Sequence, residues 1–274
     1  MGVNNKSNNY YFSENFKALF SGATAGIIGY TTTLPLDYIK QNLQTNKKIA
    51  DISRDVRNHG TKILFRGGFI GLTSIAPQMA IKYFSFHQFN NLLDNKTYYK
   101  PVAAFGAGLV DGAFLGPVLA LQSFKQMTLQ NKFCYKTTLR KNIGSLMIPM
   151  ALRNAIYTST VLGGYFVIKD NYYSNKKNNF FNNFLLSSIL NIPATIFCCP
   201  FDVLRAKHNY NLLHHQKEHV DLDIVFRDIL KKEGLRGFFR GYFSMYLNFA
   251  LRFPLTFSLQ FEILKLFEYY NKYY

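Results

Sequence analysis

Six stretches of the chain are predominantly apolar, at roughly 14–44, 69–93, 101–130, 146–169, 179–208 and 242–268. Each exceeds the ~20 helical residues needed to cross a hydrocarbon core. Within a bilayer a helix satisfies its own backbone groups, so the pattern predicts an all-α bundle of six spans. The stretches are laced with polar groups, as suits helices around a wet cavity better than helices facing only lipid. Small residues recur in them at helical spacing, as Gly22-x-x-x-Gly26 and Gly108-x-x-x-Gly112-x-x-x-Gly116. Their apolar surroundings argue against flexible linkers and for close approach of neighbouring backbones.

The same pattern repeats. LPLDYIKQNLQ (34–44), GPVLALQSFKQ (116–126) and CPFDVLRAKHN (199–209) each end a small-residue-rich apolar run, and their prolines are spaced by 82 and 83 residues. In each period an apolar helix with this motif is followed by a basic polar stretch and a second apolar helix. The polar stretch closes with HGTKILFRG (59–67) in the first period and EGLRGFFRG (233–241) in the third, while CYKTTLRKNIGS in the middle is degenerate. Three units follow, at 14–97, 98–176 and 177–272. Such an array is the signature of tandem supersecondary repeats.

Composition sharpens this picture. Hydrophobic residues make up 48% and charged ones 17%, yet mean hydropathy is only −0.06. The charged share is below the roughly 25% of soluble domains. Net charge is +17. The cations form no single stripe; they sit at helix ends and in loops, which suits anionic lipid and anionic solute better than nucleic acid. The loops inside the units are the richer in Lys and Arg, which puts both termini on the opposite side. Cys134, Cys198 and Cys199 lack disulfide or metal spacing and read as free thiols. The His214-His215-x-x-x-His219 cluster has no acidic or Cys partner at ligand spacing, so no metal is expected. The polar start MGVNNKSNNYYF has no signal-peptide core, and Lys6 breaks a myristoylation pattern, so targeting is expected to be internal. No nucleophile–base set, paired carboxylates or phosphate loop points to an enzyme.

The pattern Pro-x-[Asp/Glu]-x-x-[Lys/Arg], followed by [Asp/Glu]-Gly-x4-aromatic-[Lys/Arg]-Gly, resembles the mitochondrial carrier family over nearly the whole chain. The resemblance implies six transmembrane helices in three two-helix repeats, with pseudo-threefold symmetry around a central cavity. Short matrix-side helices would lie in the loops within repeats. It implies a multi-pass protein of the mitochondrial inner membrane or a related organelle membrane, monomeric and without a cofactor. Its expected function is alternating-access transport of a small anion. Pro35, Pro117 and Pro200 would kink the odd helices so that they converge and close the matrix end.

At that end the resemblance pairs the acid of one repeat with the base of the next. Asp202 should pair with Lys40, Asp37 should face Gln122, and Arg205 should face Leu119, which cannot pair. Gln44 and Gln126 match the family's bracing glutamine. A second, cytoplasmic gate is implied by Phe261-Glu262-Ile263-Leu264-Lys265 and by less complete copies at 165–169 and 86–90. There His87 would face Lys169 and Glu262 would face Asn90, with Lys265 completing the motif. Arg66-Gly67 and Arg240-Gly241 resemble cardiolipin sites, where helix N-termini meet lipid phosphate; simple turn glycines beside an interfacial Arg are the alternative.

The family's contact points fall on Ser74-Ile75, Arg153-Asn154 and Phe249-Ala250. Arg followed by an amide resembles carriers of di- and tricarboxylates and 2-oxo acids. A guanidinium binds a carboxylate through two parallel hydrogen bonds. Lys82 and Arg252 are candidate second cations, or snorkelling and packing residues. Asp111 either contacts solute or a proton, or pairs with an Arg. A nucleotide or phosphate carrier and a non-transporting relic with a docking role are the competing functions.

Overall fold

The computed structural model describes residues 14–94, 96–127, 140–172, 180–214 and 220–273. Cys134 and the His215–His219 part of the histidine cluster lie outside them, as does most of the middle intra-repeat loop. The described chain is helical. The long helices are α1 (Glu14–Gln44), α3 (Gly68–Leu92), α4 (Lys100–Met127), α5 (Ile143–Thr158) with α6 (Gly164–Tyr172), α7 (Phe180–His214) and α9 (Tyr242–Tyr273). Short helices α2 (Ile49–His59) and α8 (Leu222–Glu233) occupy the loops of the first and third units. A π-helical turn at Ser159–Gly163 joins α5 to α6, so the fourth span is one element with a local bulge.

The six spans close a ring. α1 packs on α3, α3 on α4, α4 on α5, α5 on α7, α7 on α9 and α9 back on α1. Pro35, Pro117 and Pro200 all lie inside helices that continue through them. Among the described residues only two helices, 97–127 and 180–213, are both long and apolar enough by composition alone to cross a membrane. The others carry too many polar residues, and the fold says why.

α7 illustrates the reversal of the soluble pattern. It buries Asn183, Ser187, Asn191 and Thr195 while exposing Leu185, Ile189, Ile192 and Ile196. A bilayer makes this arrangement stable, because exposed apolar groups meet lipid and buried polar groups find protein partners. Tyr157 donates to Asn191 Oδ1 at 2.6 Å and Tyr165 to Asn183 Oδ1 at 2.9 Å, while Ser187 and Thr195 donate to carbonyls one turn back.

The glycine spacing performs the expected task between α4 and α5. A Cβ on Gly108 would lie 2.4 Å from the Asn154 carbonyl oxygen, and one on Gly112 2.5 Å from Ala151 Cα. Hydrogen atoms at these two positions set the distance between the helices.

In the loop of the third unit, α8 is tied to the long helices through Glu233. Its carboxylate accepts from Lys207 on α7 and from Asn46 after α1 at 3.1 Å, with Arg240 3.8 Å away. Partial burial pushes this carboxyl up, but the hydrogen bonds from Lys207 and Asn46 and the nearby positive charges outweigh burial and hold it below its ordinary range. A depressed folded value means the stabilisation is present above the unfolded value and is lost as pH falls through the folded one. Melting of wild type should therefore fall more on acidification than melting of Glu233→Gln, measured side by side. Parallel acid profiles would show that the clamp contributes nothing.

Candidate functional site

The inner ends of α1, α4 and α7 carry the polar motif residues to one point. Lys40 Nζ lies 2.9 Å from Asp202 Oδ2, and Gln44 donates to the same oxygen at 3.0 Å. Asp37 accepts from Gln122 at 2.9 Å and from Gln126 at 3.1 Å. The expected Asp202–Lys40 and Asp37–Gln122 contacts are thus present, with Gln44 and Gln126 bracing them. Lys40 and Asp202 are almost wholly buried, at 2% and 0% exposure.

Arg205 departs from the expectation that it faces only Leu119. Its guanidinium donates to Ser123 and to Gln41, each at 3.3 Å, and lies 3.3 Å from Asp202 Oδ1. Long side chains at a crowded helix end reach past their aligned position. Asn248 on α9 adds a donor to Asp37 at 3.4 Å. Gln41 and Ser123 lie in the repeated segments but outside the charged positions of the motif, and Asn248 lies outside those segments. The turns behind the gate are equally close: a Cβ on Gly67 would lie 3.0 Å from the Gln122 carbonyl oxygen, and one on Gly241 3.2 Å from Gln44 Cγ. Both glycines have positive φ and stand at the starts of α3 and α9. Arg66 and Arg240 precede them, partly exposed.

Above this floor lies a cavity with about 900 Å³ of empty space, counted out to its mouth. Ser74, Lys82, Arg153, Asn154, Phe249 and Arg252 all line it. Arg153 is not vacant, however. Its Nε is 3.4 Å from Asp202 Oδ1 and its Nη1 donates to Asn154 Oδ1 at 2.6 Å. The ring of Phe249 lies under both Arg153, at 4.8 Å, and Lys40, at 5.2 Å, giving two cation–π contacts. Lys82 is also engaged, 3.4 Å from Asp111 Oδ2. Asp111 therefore pairs with a Lys, and the Arg partner considered from sequence is not the one it takes. Arg252 stacks over Tyr30 at 4.5 Å, and among the described residues no carboxylate lies within ion-pair distance of it. The five cations Lys40, Lys82, Arg153, Arg205 and Arg252 face the three carboxylates Asp37, Asp111 and Asp202, for a net charge of +2.

The opposite end has a different arrangement from the one expected. His87 Nδ1 contacts Asn91 on its own helix at 3.0 Å, where it was expected to face Lys169. Lys169 sits over the rings of Phe261 and Tyr165, at 4.9 and 5.8 Å. Glu262, expected to face Asn90, instead pairs with Lys265 one turn along at 2.7 Å. The even helices still touch here through their rings, Phe86 on Phe166 at 5.5 Å and Tyr165 near Phe261 at 6.2 Å, while His87 and Glu262 take partners on their own helices. The bridge that does form between helices is Lys100–Asp170, with Thr97 donating to Asp170 at 3.2 Å. Asp170 directly follows Lys169, and its pairing with the start of α4 left no motif in the sequence.

Six helices thus surround a cationic cavity that a buried polar ring closes at one end. The family profile described as mitochondrial carrier protein matches residues 12–97 and 176–270. The chain belongs to the mitochondrial carrier family, whose members are integral to the mitochondrial inner membrane. Among curated relatives, it is 24% identical over 251 residues to the mitochondrial adenyl nucleotide antiporter of Bos taurus, covering 82% of this chain and 52% of that protein. It is 24% identical over 266 residues to the mitochondrial aspartate-glutamate transporter of Saccharomyces cerevisiae, covering 84% and 30%. It is 23% identical over 230 residues to the mitochondrial 2-oxodicarboxylate carrier of Rattus norvegicus, covering 73% and 77%. The chain thus spans about half the length of the nucleotide antiporter and a third of the aspartate-glutamate transporter.

Proposed function

We propose that this protein moves a small carboxylate, a di- or tricarboxylate or a 2-oxo acid, across the mitochondrial inner membrane by alternating access. The observation that carries the reading is the cavity's net charge of +2, with Arg252 lining it and, among the described residues, no carboxylate in ion-pair contact with that guanidinium. A dianion entering the cavity would balance that charge and offer each carboxylate a cation. Arg252 would take one end, and Arg153 and Lys82 would exchange part of their internal pairing for the other. These relatives include carriers named for nucleotides, amino acids and 2-oxodicarboxylates, so the solute class rests on the site. Cardiolipin at Arg66-Gly67 and Arg240-Gly241 completes the proposal.

Uptake into liposomes tests it, with 2-oxoglutarate and ATP as competitors. Stronger competition by 2-oxoglutarate is expected. Stronger competition by ATP would assign a nucleotide carrier, and no uptake of any solute in a broad screen would favour the relic. Arg252→Ala should lose dicarboxylate uptake by about tenfold or more while losing less stability than Arg153→Ala, because it gives up the stack on Tyr30 but breaks no ion pair. Arg153→Ala should lose uptake and stability together, since Asp202 then lacks one of its cations. Equal effects of the two on melting would contradict this division.

A further inference from the structure

Asp111 lies wholly buried on α4, behind the cavity wall. Its Oδ2 gathers three side chains that do line the cavity. Asn154 of α5 donates to it at 3.0 Å, Gln78 of α3 donates at 3.5 Å, and the Lys82 ammonium stands 3.4 Å away. Asn154 in turn accepts from Arg153. One carboxylate therefore anchors a continuous polar chain, Lys82–Asp111–Asn154–Arg153, across three helices. Its Oδ1 has no hydrogen-bond partner, so the position is not optimised as a closed structural pair. A buried acid that left Lys82 uncharged in effect would be redundant if the cavity merely needed more positive charge. Holding Lys82 and orienting Asn154 together sets both the charge and the shape of the wall.

We infer that Asp111 is a positioning residue that sets the charge preference of the solute site: it fixes Lys82, Gln78 and Asn154 in the wall and lowers the cavity's net charge by one, favouring dianions over trianions. The inference rests on the carboxylate reading above. Removing the charge while keeping the shape should raise the net charge from +2 to +3 and shift preference towards the more highly charged solute.

The test compares inhibition by citrate and by 2-oxoglutarate for wild type and Asp111→Asn reconstituted in liposomes. The citrate to 2-oxoglutarate ratio of affinities should rise on the order of tenfold, which equals about 1.4 kcal/mol. A merely structural role would weaken both inhibitors alike and leave the ratio unchanged, which overturns the inference. Should Asp111→Asn fail to fold, the comparison is made in the Lys82→Gln background, where the acid no longer holds an ion pair. There too its removal should raise the ratio, and an unchanged ratio overturns the inference. Wild type inhibited by neither solute would instead remove the carboxylate reading itself, which separates the two failures.

Discussion

Replacing Asp202 with alanine should destabilise the folded protein by about 3–5 kcal/mol and abolish uptake. The carboxylate is fully buried and stands among three cations. Lys40 lies 2.9 Å from one oxygen, while Arg205 at 3.3 Å and Arg153 at 3.4 Å share the other. Truncation leaves these charges facing one another without compensation, and breaking a buried pair from one side costs far more than the pair itself contributes. Asp37→Asn makes a useful contrast. Gln122, Gln126 and Asn248 are neutral amide donors from which an amide oxygen can still accept, and Lys40, 3.7 Å away, keeps its nearer partner Asp202, so the loss should be smaller, about 1–2 kcal/mol. The motif alone suggests that exchanging Lys40 and Asp202 would restore part of the lost function. In the folded protein the exchanged lysine would meet Arg153 and Arg205, so restoration should be slight. Thermal unfolding in detergent and uptake in liposomes measure both effects. An Asp202→Ala protein that melts with wild type, or a fully restored exchange, would show that the gate does not depend on this hub.

The second large effect is expected at the α4–α5 contact. Gly108→Ala and Gly112→Ala each place a methyl within 2.6 Å of backbone atoms of α5, and backbone cannot rotate aside as a flexible side chain can. Each should cost about 1–3 kcal/mol by overpacking. Uptake should fall as well, because moving α5 outward carries Asn154 away from Asp111 and Arg153 away from Asp202. Gly144→Ala, near the start of α5, is the control: nothing lies within 4 Å of its added methyl. That change removes only unfolded-chain freedom and should be neutral or stabilising by about 0.4–1 kcal/mol. Equal melting of all three variants would mean that close approach of α4 and α5 at Gly108 and Gly112 does not hold the fold.

Several site residues were legible before any coordinates. Lys40, Asp202, Gln44, Asp37, Gln122 and Gln126 stand in a repeated motif, and their meeting was what the resemblance to the family implied. Residues without a copy in another unit were not legible. Asn248 reaches Asp37 and Asp170 reaches Lys100, yet neither sits at a repeated position. The second motif, at the other end, was legible too. Its residues were recognisable, but His87 and Glu262 take partners on their own helices.

By itself the sequence determined the number of spans, the close-packing glycines and the cationic character of the interior. These are properties of period and composition, and both are written along the chain. Which cations remain available to a solute was decided by the tertiary structure alone. Arg153 and Lys82 looked vacant because no acid lies near them in their own helices. Folding brings Asp202 of α7 to the first and Asp111 of α4 to the second, and leaves Arg252 over a neutral tyrosine ring. The physical reason is that electrostatic compensation depends on distances of a few ångströms between helices, which no one-dimensional pattern records.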